Sequence, residues 1–323
     1  MTSKRIVLAG NPNVGKSTVF NALTGLKQHT GNWSGKTVEL ASGSFCLGEN
    51  TYEIFDLPGT YSVISDSPEE KIARDYICFS RSDLTVIVAD ATCMERNLNL
   101  ILQVTEMSEN VLVCINLIDE AQANGIYVNT AKLSSLLGVP VIGICAKKRK
   151  DIAKLKSAIA KAASSVCNDI PKIPYPPQNE TEKAEISEYI SRCNRDISAH
   201  FCRFAAVKML DNRELANDLS NHLTDSAKCR NALFNTVKAA KERLVACGFE
   251  AIYIRDSIVE AIVKLATRIS ESCVICDTSK NKNISKKIDK YLTSKVFGIP
   301  IMLIFLGGIL WLTIFGANYP SAL

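Results

Sequence analysis

Gly10-Asn11-Pro12-Asn13-Val14-Gly15-Lys16-Ser17 matches G-x-x-x-x-G-K-[ST] at every fixed position. The apolar run at residues 6–9 leads into it, and a helix-compatible segment at residues 18–26 leads out. Strand, glycine-bearing loop and helix form the setting in which this pattern cradles phosphate. There, successive backbone N–H groups at a helix N-terminus present partial positive charge to an anion. Lys16 would reach the β- and γ-phosphates, and the Ser17 hydroxyl would bind Mg²⁺. Gly10 through Ser17, with Thr18 beyond, are therefore candidate nucleotide contacts. A plain glycine turn is the alternative, and the flanking pattern disfavours it.

The 323 residues suffice for two compact units and an appendage. With 22% charged and 47% hydrophobic residues the chain reads as globular rather than disordered. A net charge of +5 is too modest to imply a nucleic-acid partner. The twelve cysteines are irregularly spaced, and several lie in apolar contexts (Cys114, Cys145, Cys202), which fits a reducing compartment. Cys273-Val274-Ile275-Cys276 is a C-x-x-C without a second ligand pair nearby, so a structural zinc site is not indicated. His29, His200 and His222 are scattered.

Residues 1–168 alternate short apolar runs with helical patterns. Residues 6–9, 52–55, 84–89, 111–115 and 139–144 read as buried strands, and 97–107, 130–137 and 152–163 as helices. This alternation predicts an α/β domain with a mostly parallel sheet and ligands at the carboxyl ends of its strands. Residues 169–183 hold Pro171, Pro174, Pro176 and Pro177 and read as an extended linker. Over 184–278, apolar residues recur at helical spacing (Ile186, Ile190, Ile197, Phe201, Phe204, then Ile258, Ile262, Leu265, Ile269), predicting a small all-α domain with no catalytic pattern. Residues 279–296 carry six lysines against Asp289. Residues 297–316 are uncharged and apolar, long enough to read as one transmembrane helix whose lysine-flanked side stays in the cytoplasm.

Three further stretches fall where a nucleotide site needs them. Asp56-Leu57-Pro58-Gly59 ends a strand: Asp56 can hold Mg²⁺ through water, and the Gly59 N–H can turn to a γ-phosphate. Asn116-Leu117-Ile118-Asp119 ends another. The Asp119 carboxylate can accept from N1–H and N2–H₂ of guanine, a donor pair adenine lacks, while Asn116 would tie this loop to the phosphate loop. Cys145-Ala146-Lys147 would give the guanine O6 a backbone contact. Between the first two motifs lies a polar, glycine-bearing segment containing Gly35, Lys36 and Thr37, suited to ordering around γ-phosphate and Mg²⁺, with Thr37 as the sensing hydroxyl.

GNPNVGKSTVFNALTG, GNWSGKTVE, DLPGTYS, ERNLNL, NLID and GANYPS together resemble the FeoB family of ferrous iron transport proteins, and the resemblance runs over the whole chain. It implies a cytoplasmic P-loop GTPase domain, a dissociation-inhibitor-like helical domain and the first span of a polytopic Fe(II) permease in the bacterial cytoplasmic (inner) membrane. The implied partners are the remaining permease spans, on a separate chain or missing through truncation after the first span, and further copies in a homo-oligomer. GTP and Mg²⁺ are the implied ligands, with Lys16, Asn13 and Gly59 catalytic. Thr60 follows Gly59, so a Ras-type water-orienting glutamine is absent there. By the resemblance, Asn13 joins switch-loop carbonyls around an activating K⁺. Cys145 departs from the usual S-A or T-A start of the guanine-side loop. A membrane-anchored regulatory GTPase without transport activity, and a soluble GTPase of ribosome or tRNA maturation, are the competing readings.

Overall fold

The computed structural model describes residues 3–25, 29–32, 39–63, 67–79, 82–108, 110–165, 173–194, 197, 199–211, 219–220, 223, 226–249, 251–277, 294 and 298–316. They form two compact units, residues 1–275 and 276–323.

The first unit is built on a seven-stranded sheet. Its strands are β1 (Ser3–Gly10), β2 (His29–Asn32), β3 (Glu39–Leu47), β4 (Asn50–Asp56), β5 (Leu84–Asp90), β6 (Val111–Asn116) and β8 (Val141–Gly143), in the order β2-β3-β4-β1-β5-β6-β8. From β4 to β8 every pairing is parallel, and β2-β3-β4 form an antiparallel flank. The central strands are continuous apolar runs because both faces are covered. Their side chains alternate between two cores: Ile6, Leu8, Val86, Val88, Leu112 and Cys114 face one, and Val7, Ala9, Ile87, Ala89, Val113 and Ile115 the other. The first core is closed by α1 (Lys16–Thr24) and α6 (Arg149–Ala162) through Val19, Phe20, Leu155 and Ile159. The second is closed by α3 (Met94–Met107) through Leu98, Ile101 and Val104.

Shorter elements complete this part: α2 (Pro68–Phe79), α4 (Ile118–Ala123), β7 (Ile126–Val128) and α5 (Thr130–Leu137). Register brings the motifs together. Leu8 pairs with Asp56, Gly10 with Val88, Asp90 with Asn116 and Ile115 with Gly143, so the carboxyl ends of β4, β1, β5, β6 and β8 share one edge.

Helices α7 (Pro177–Cys193), α8 (Ala199–Asp211), α9 (Ala227–Ala246) and α10 (Ala251–Cys273) come next, and β9 (Val274–Cys276) pairs with β7. The predicted apolar stripes are inside: Ile186, Ile190, Phe201, Phe204, Ile258, Ile262 and Ile269 are buried, in the same core as α3. The extended linker predicted through residue 183 ends at Pro176 instead. Pro177 is the first helical residue, a position where its missing N–H costs nothing and its fixed φ favours the helix.

In the second unit, α11 (Gly298–Gly316) forms where the transmembrane helix is predicted, but the span itself is not shown. Among the described residues no helix is long and apolar enough to cross a membrane. α11 carries no charged residue. Its apolar side chains are exposed, among them Ile304, Phe305, Trp311 and Leu312. Apart from Ser294 and residue 277, the basic segment and its approach lie outside the described residues.

Candidate functional site

The loop between β1 and α1 is shaped by three backbone demands. A Cβ on Gly10 would lie 2.5 Å from the Val88 carbonyl oxygen, so only glycine fits beside β5. Asn13 and Gly15 adopt left-handed φ of 64° and 80°, turning the intervening peptides of a concave, anion-binding loop. Gly15 also caps α1 without any side-chain hydrogen bond, which leaves the helix N-terminus open to an anion. Ser17, Thr18 and Asn13 are exposed at this mouth, while Val14 is buried and Pro12 half-buried. Asn11 is buried with neither amide atom paired, a polar group held inside the loop.

Lys16 leaves the first turn of α1 and is buried, with its Nζ donating to the Asp56 carboxylate and the Leu57 carbonyl. Burial pushes the Asp56 carboxyl up and outweighs the pull of Lys16 in the other direction. The Leu57 N–H donates to the Leu8 carbonyl (3.0 Å), and the Thr60 N–H to the Gly10 carbonyl (3.2 Å). A Cβ on Gly59 would come within 3.1 Å of the Pro12 Cα, so the D-x-P-G segment rests on the phosphate loop. The next residues are held from α3. Gln103 Oε1 accepts from the Ser62 hydroxyl (2.9 Å) and the Val63 N–H (3.0 Å), and the Arg96 guanidinium lies 4.1 Å from the Tyr61 ring centroid.

On the base side, Asn116 is the joint. Its Nδ2 donates to the Val14 carbonyl (3.1 Å), and its Oδ1 accepts from the Ala146 N–H (3.1 Å). Leu117 takes a left-handed φ of 60° to start α4, which carries Ile118 and Asp119. The Asp119 carboxylate accepts from the Cys145 thiol (3.1 Å), and this bond holds its pKa below the usual range despite some desolvation. Burial, reinforced by Asp119, pushes the Cys145 thiol up, keeping it a neutral donor. The Cys145 N–H donates to Asp151 (3.1 Å), which fixes the loop to α6, and Lys147 stays exposed.

The phosphate loop, D-x-P-G, N-x-x-D and C-A-K thus converge on one edge of the sheet. Gly35, Lys36 and Thr37 lie outside the described residues. Sequence patterns do not single out Gln103 or Asp151, and include Arg96 only as part of ERNLNL, without a role. A buried polar residue on the apolar face of α3 was the available signal for Gln103. The residues present fit a magnesium–nucleotide: an uncapped helix end, a buried lysine, an exposed Ser17 hydroxyl, and the Asp56 carboxylate bonded to Lys16.

The FeoB_N family, described as Ferrous iron transport protein B, matches residues 4–159. The Fe(2+) transporter FeoB of Shigella flexneri is 31% identical over 332 residues, covering 99% of this chain, and the chain spans about 40% of that relative's length. The cytosolic domain of L. pneumophila FeoB superposes with a TM-score of 0.70 at 28% identity, covering 84% of this chain and 100% of that one. A variant of the S. thermophilus NFeoB domain bound to GDP gives 0.68 at 31% identity, with the same two coverages. The chain has the FeoB N-terminal G-domain fold and belongs to the FeoB family.

Proposed function

We propose that the chain binds and hydrolyses GTP as the cytoplasmic module of an Fe(II) transporter of the bacterial cytoplasmic membrane. The observation that carries the nucleotide reading is the Asn116 bridge, which locks the phosphate loop and the base-side loop into one pocket. Asp119, ionised and pointing from the start of α4, selects guanine by accepting its two N–H donors. Lys16 moves from Asp56 to the phosphate oxygens, and its charge offsets the negative charge that develops as the γ-phosphoryl group leaves. The N–H groups around Gly15 and Gly59 fix the phosphates and exclude misplacement of the attacking water. Ser17 and Asp56, with Thr37, would hold Mg²⁺, which when bound neutralises charge on the phosphate oxygens. Asn13 would hold K⁺, supplying positive charge where an arginine finger otherwise acts.

Transport and membrane attachment rest on the family and on the apolar α11 preceded by the lysine-rich segment. Fe(II) is then the cargo, and further spans and further copies of the chain are its partners. No observation favours the anchored-switch or ribosome-associated readings.

Equilibrium binding of fluorescent GTP and ATP analogues tests the nucleotide reading, with Lys16→Ala and Asp119→Ala as variants. The expected outcome is a preference for GTP that Asp119→Ala abolishes and an affinity that Lys16→Ala lowers sharply. Equal binding of the two purines, or unchanged binding in the double variant, would refute it. Phosphate release in K⁺ against Na⁺, for the parent and Asn13→Ala, tests the potassium assignment; equal rates in the two salts would dismiss it.

A further inference from the structure

The C-x-x-C motif is divided between two elements: Cys273 ends α10 and is buried, whereas Cys276 ends β9 and is exposed. Two other cysteines, far apart in sequence, stand at adjoining helix ends. Cys193 is the last residue of α7, and Cys229 stands in the first turn of α9, where its N–H donates to the capping Ser226 hydroxyl (3.4 Å). This end of the pair is tied through Asn194, next to Cys193, whose Nδ2 donates to the Leu223 carbonyl (3.2 Å) just ahead of α9, and Tyr189 stands one turn back on α7. Both thiols are free and half-buried, so small reagents can reach them.

The arrangement is fixed by the helix pair. At the opposite end of α9, Arg243 Nε donates to Glu182 (3.0 Å), and its guanidinium also bonds Glu185, both on α7. The helices therefore run antiparallel and are pinned at both ends, with the thiols at one and the arginine–glutamate cluster at the other. Cys114 and Cys202, by contrast, are buried in apolar surroundings.

We propose that Cys193 and Cys229 form a redox-active dithiol that a low-molecular-weight disulfide converts to an intrachain disulfide. The thiolate of one cysteine attacks a sulfur of the small disulfide, forming a mixed disulfide and expelling one small thiolate. The second cysteine's thiolate then attacks the protein-side sulfur, forming the Cys193–Cys229 bond and expelling the other small thiolate. The two protons lost by the cysteines end on the two small thiols, and the two electrons reduce the small disulfide. In a reducing compartment the pair rests as thiols and oxidises only when the local poise rises. The bond would staple α7 to α9.

The test treats the full chain in detergent with glutathione disulfide under native conditions, confirmed by circular dichroism, followed by non-reducing peptide mass spectrometry. The expected product is a cross-linked peptide pair joining Cys193 to Cys229, two hydrogens lighter than the dithiol, with no retained glutathione at either position. The melting temperature should rise on oxidation and return on reduction. In Cys193→Ser, Cys229 should instead retain glutathione, and oxidation should no longer raise the melting temperature. Stable glutathione adducts at Cys193 or Cys229 in the parent would overturn the proposal. So would oxidation confined to the exposed Cys46, Cys93, Cys247 and Cys276.

Discussion

A thiol stands beside the carboxylate that would read guanine. Sulfur is a weak donor, so the Cys145–Asp119 contact (3.1 Å) positions Asp119 less firmly than a hydroxyl would. Cys145→Ser should slow GDP release by about two- to tenfold, the equivalent of about 0.5–1.5 kcal/mol of added hydrogen bonding. Stopped-flow displacement of a fluorescent GDP checks this, and an unchanged rate would mean that Asp119 owes its position to α4 alone. Gly15→Ala places a Cβ 2.4 Å from Asn116 Nδ2 at a residue with φ of 80°. The left-handed backbone costs about 1–2 kcal/mol, and displacement of Asn116 breaks the bridge between the two loops. Urea unfolding should register the first effect and loss of nucleotide affinity the second. Asp56 bears on acidity. Its carboxyl is raised by burial, so Mg²⁺-dependent nucleotide binding needs a pH above that raised value. Affinity should fade as pH falls through it, at milder acidity than for an ordinary aspartate. Titration of nucleotide binding with and without Mg²⁺ shows whether the acid limb belongs to the metal-dependent part.

At the scale of elements, α3 is the support for the segment after D-x-P-G. Gln103→Leu removes the acceptor for the Val63 N–H and the Ser62 hydroxyl, leaving a buried donor unpaired at a cost of about 1–3 kcal/mol. Hydrogen exchange should accelerate at Ser62 and Val63 while β1 and β6 keep their protection; unaltered exchange there would assign the hold on this segment to its contact with Gly10. The same elements differ in how plainly the sequence announces them. The strands β1, β5 and β6 are unbroken apolar runs, because a central parallel strand is buried on both faces. β3 is not: Ala41-Ser42-Gly43-Ser44 is small and polar, as an antiparallel flank permits. The start of α7 is hidden by Pro176-Pro177, which locally looks extended and becomes a helix start only because the residues up to Cys193 continue as helix. In the site, residues whose chemistry is local to a motif are legible, including Asn116 as a tie. Gln103 is not, since it acts on a segment 40 residues away that only the fold brings near, and Asp151, six residues past Cys145, belongs to no recognisable motif.

Across the whole first unit, one side of the sheet shares its core with the helices α7 to α10, and a buried ionic cluster sits in that shared region. Glu106, near the end of α3, accepts from the Tyr175 hydroxyl (2.6 Å). Arg203 on α8 donates to the Ile173 carbonyl (2.7 Å) and to Glu180 (3.1 Å), and the Lys183 ammonium lies 4.8 Å from the Tyr175 ring centroid. Burial pushes the Glu106 carboxyl up, outweighing the opposing effects of Tyr175, Arg203, Lys208 and Lys183. The folded chain therefore holds this proton more tightly than the unfolded chain, whose glutamate titrates near about 4.3. The resulting stability is full below that value and is lost as pH rises through the raised folded value. Glu106→Gln keeps an acceptor for Tyr175 but removes the titration. Unfolding free energies measured in urea from acid to neutral pH should fall less steeply for the variant, so that it gains on the parent as pH rises. The reverse trend, with the variant losing ground toward neutrality, would show that the surrounding cations outweigh desolvation and that Glu106 is held as a carboxylate because the cluster needs its charge.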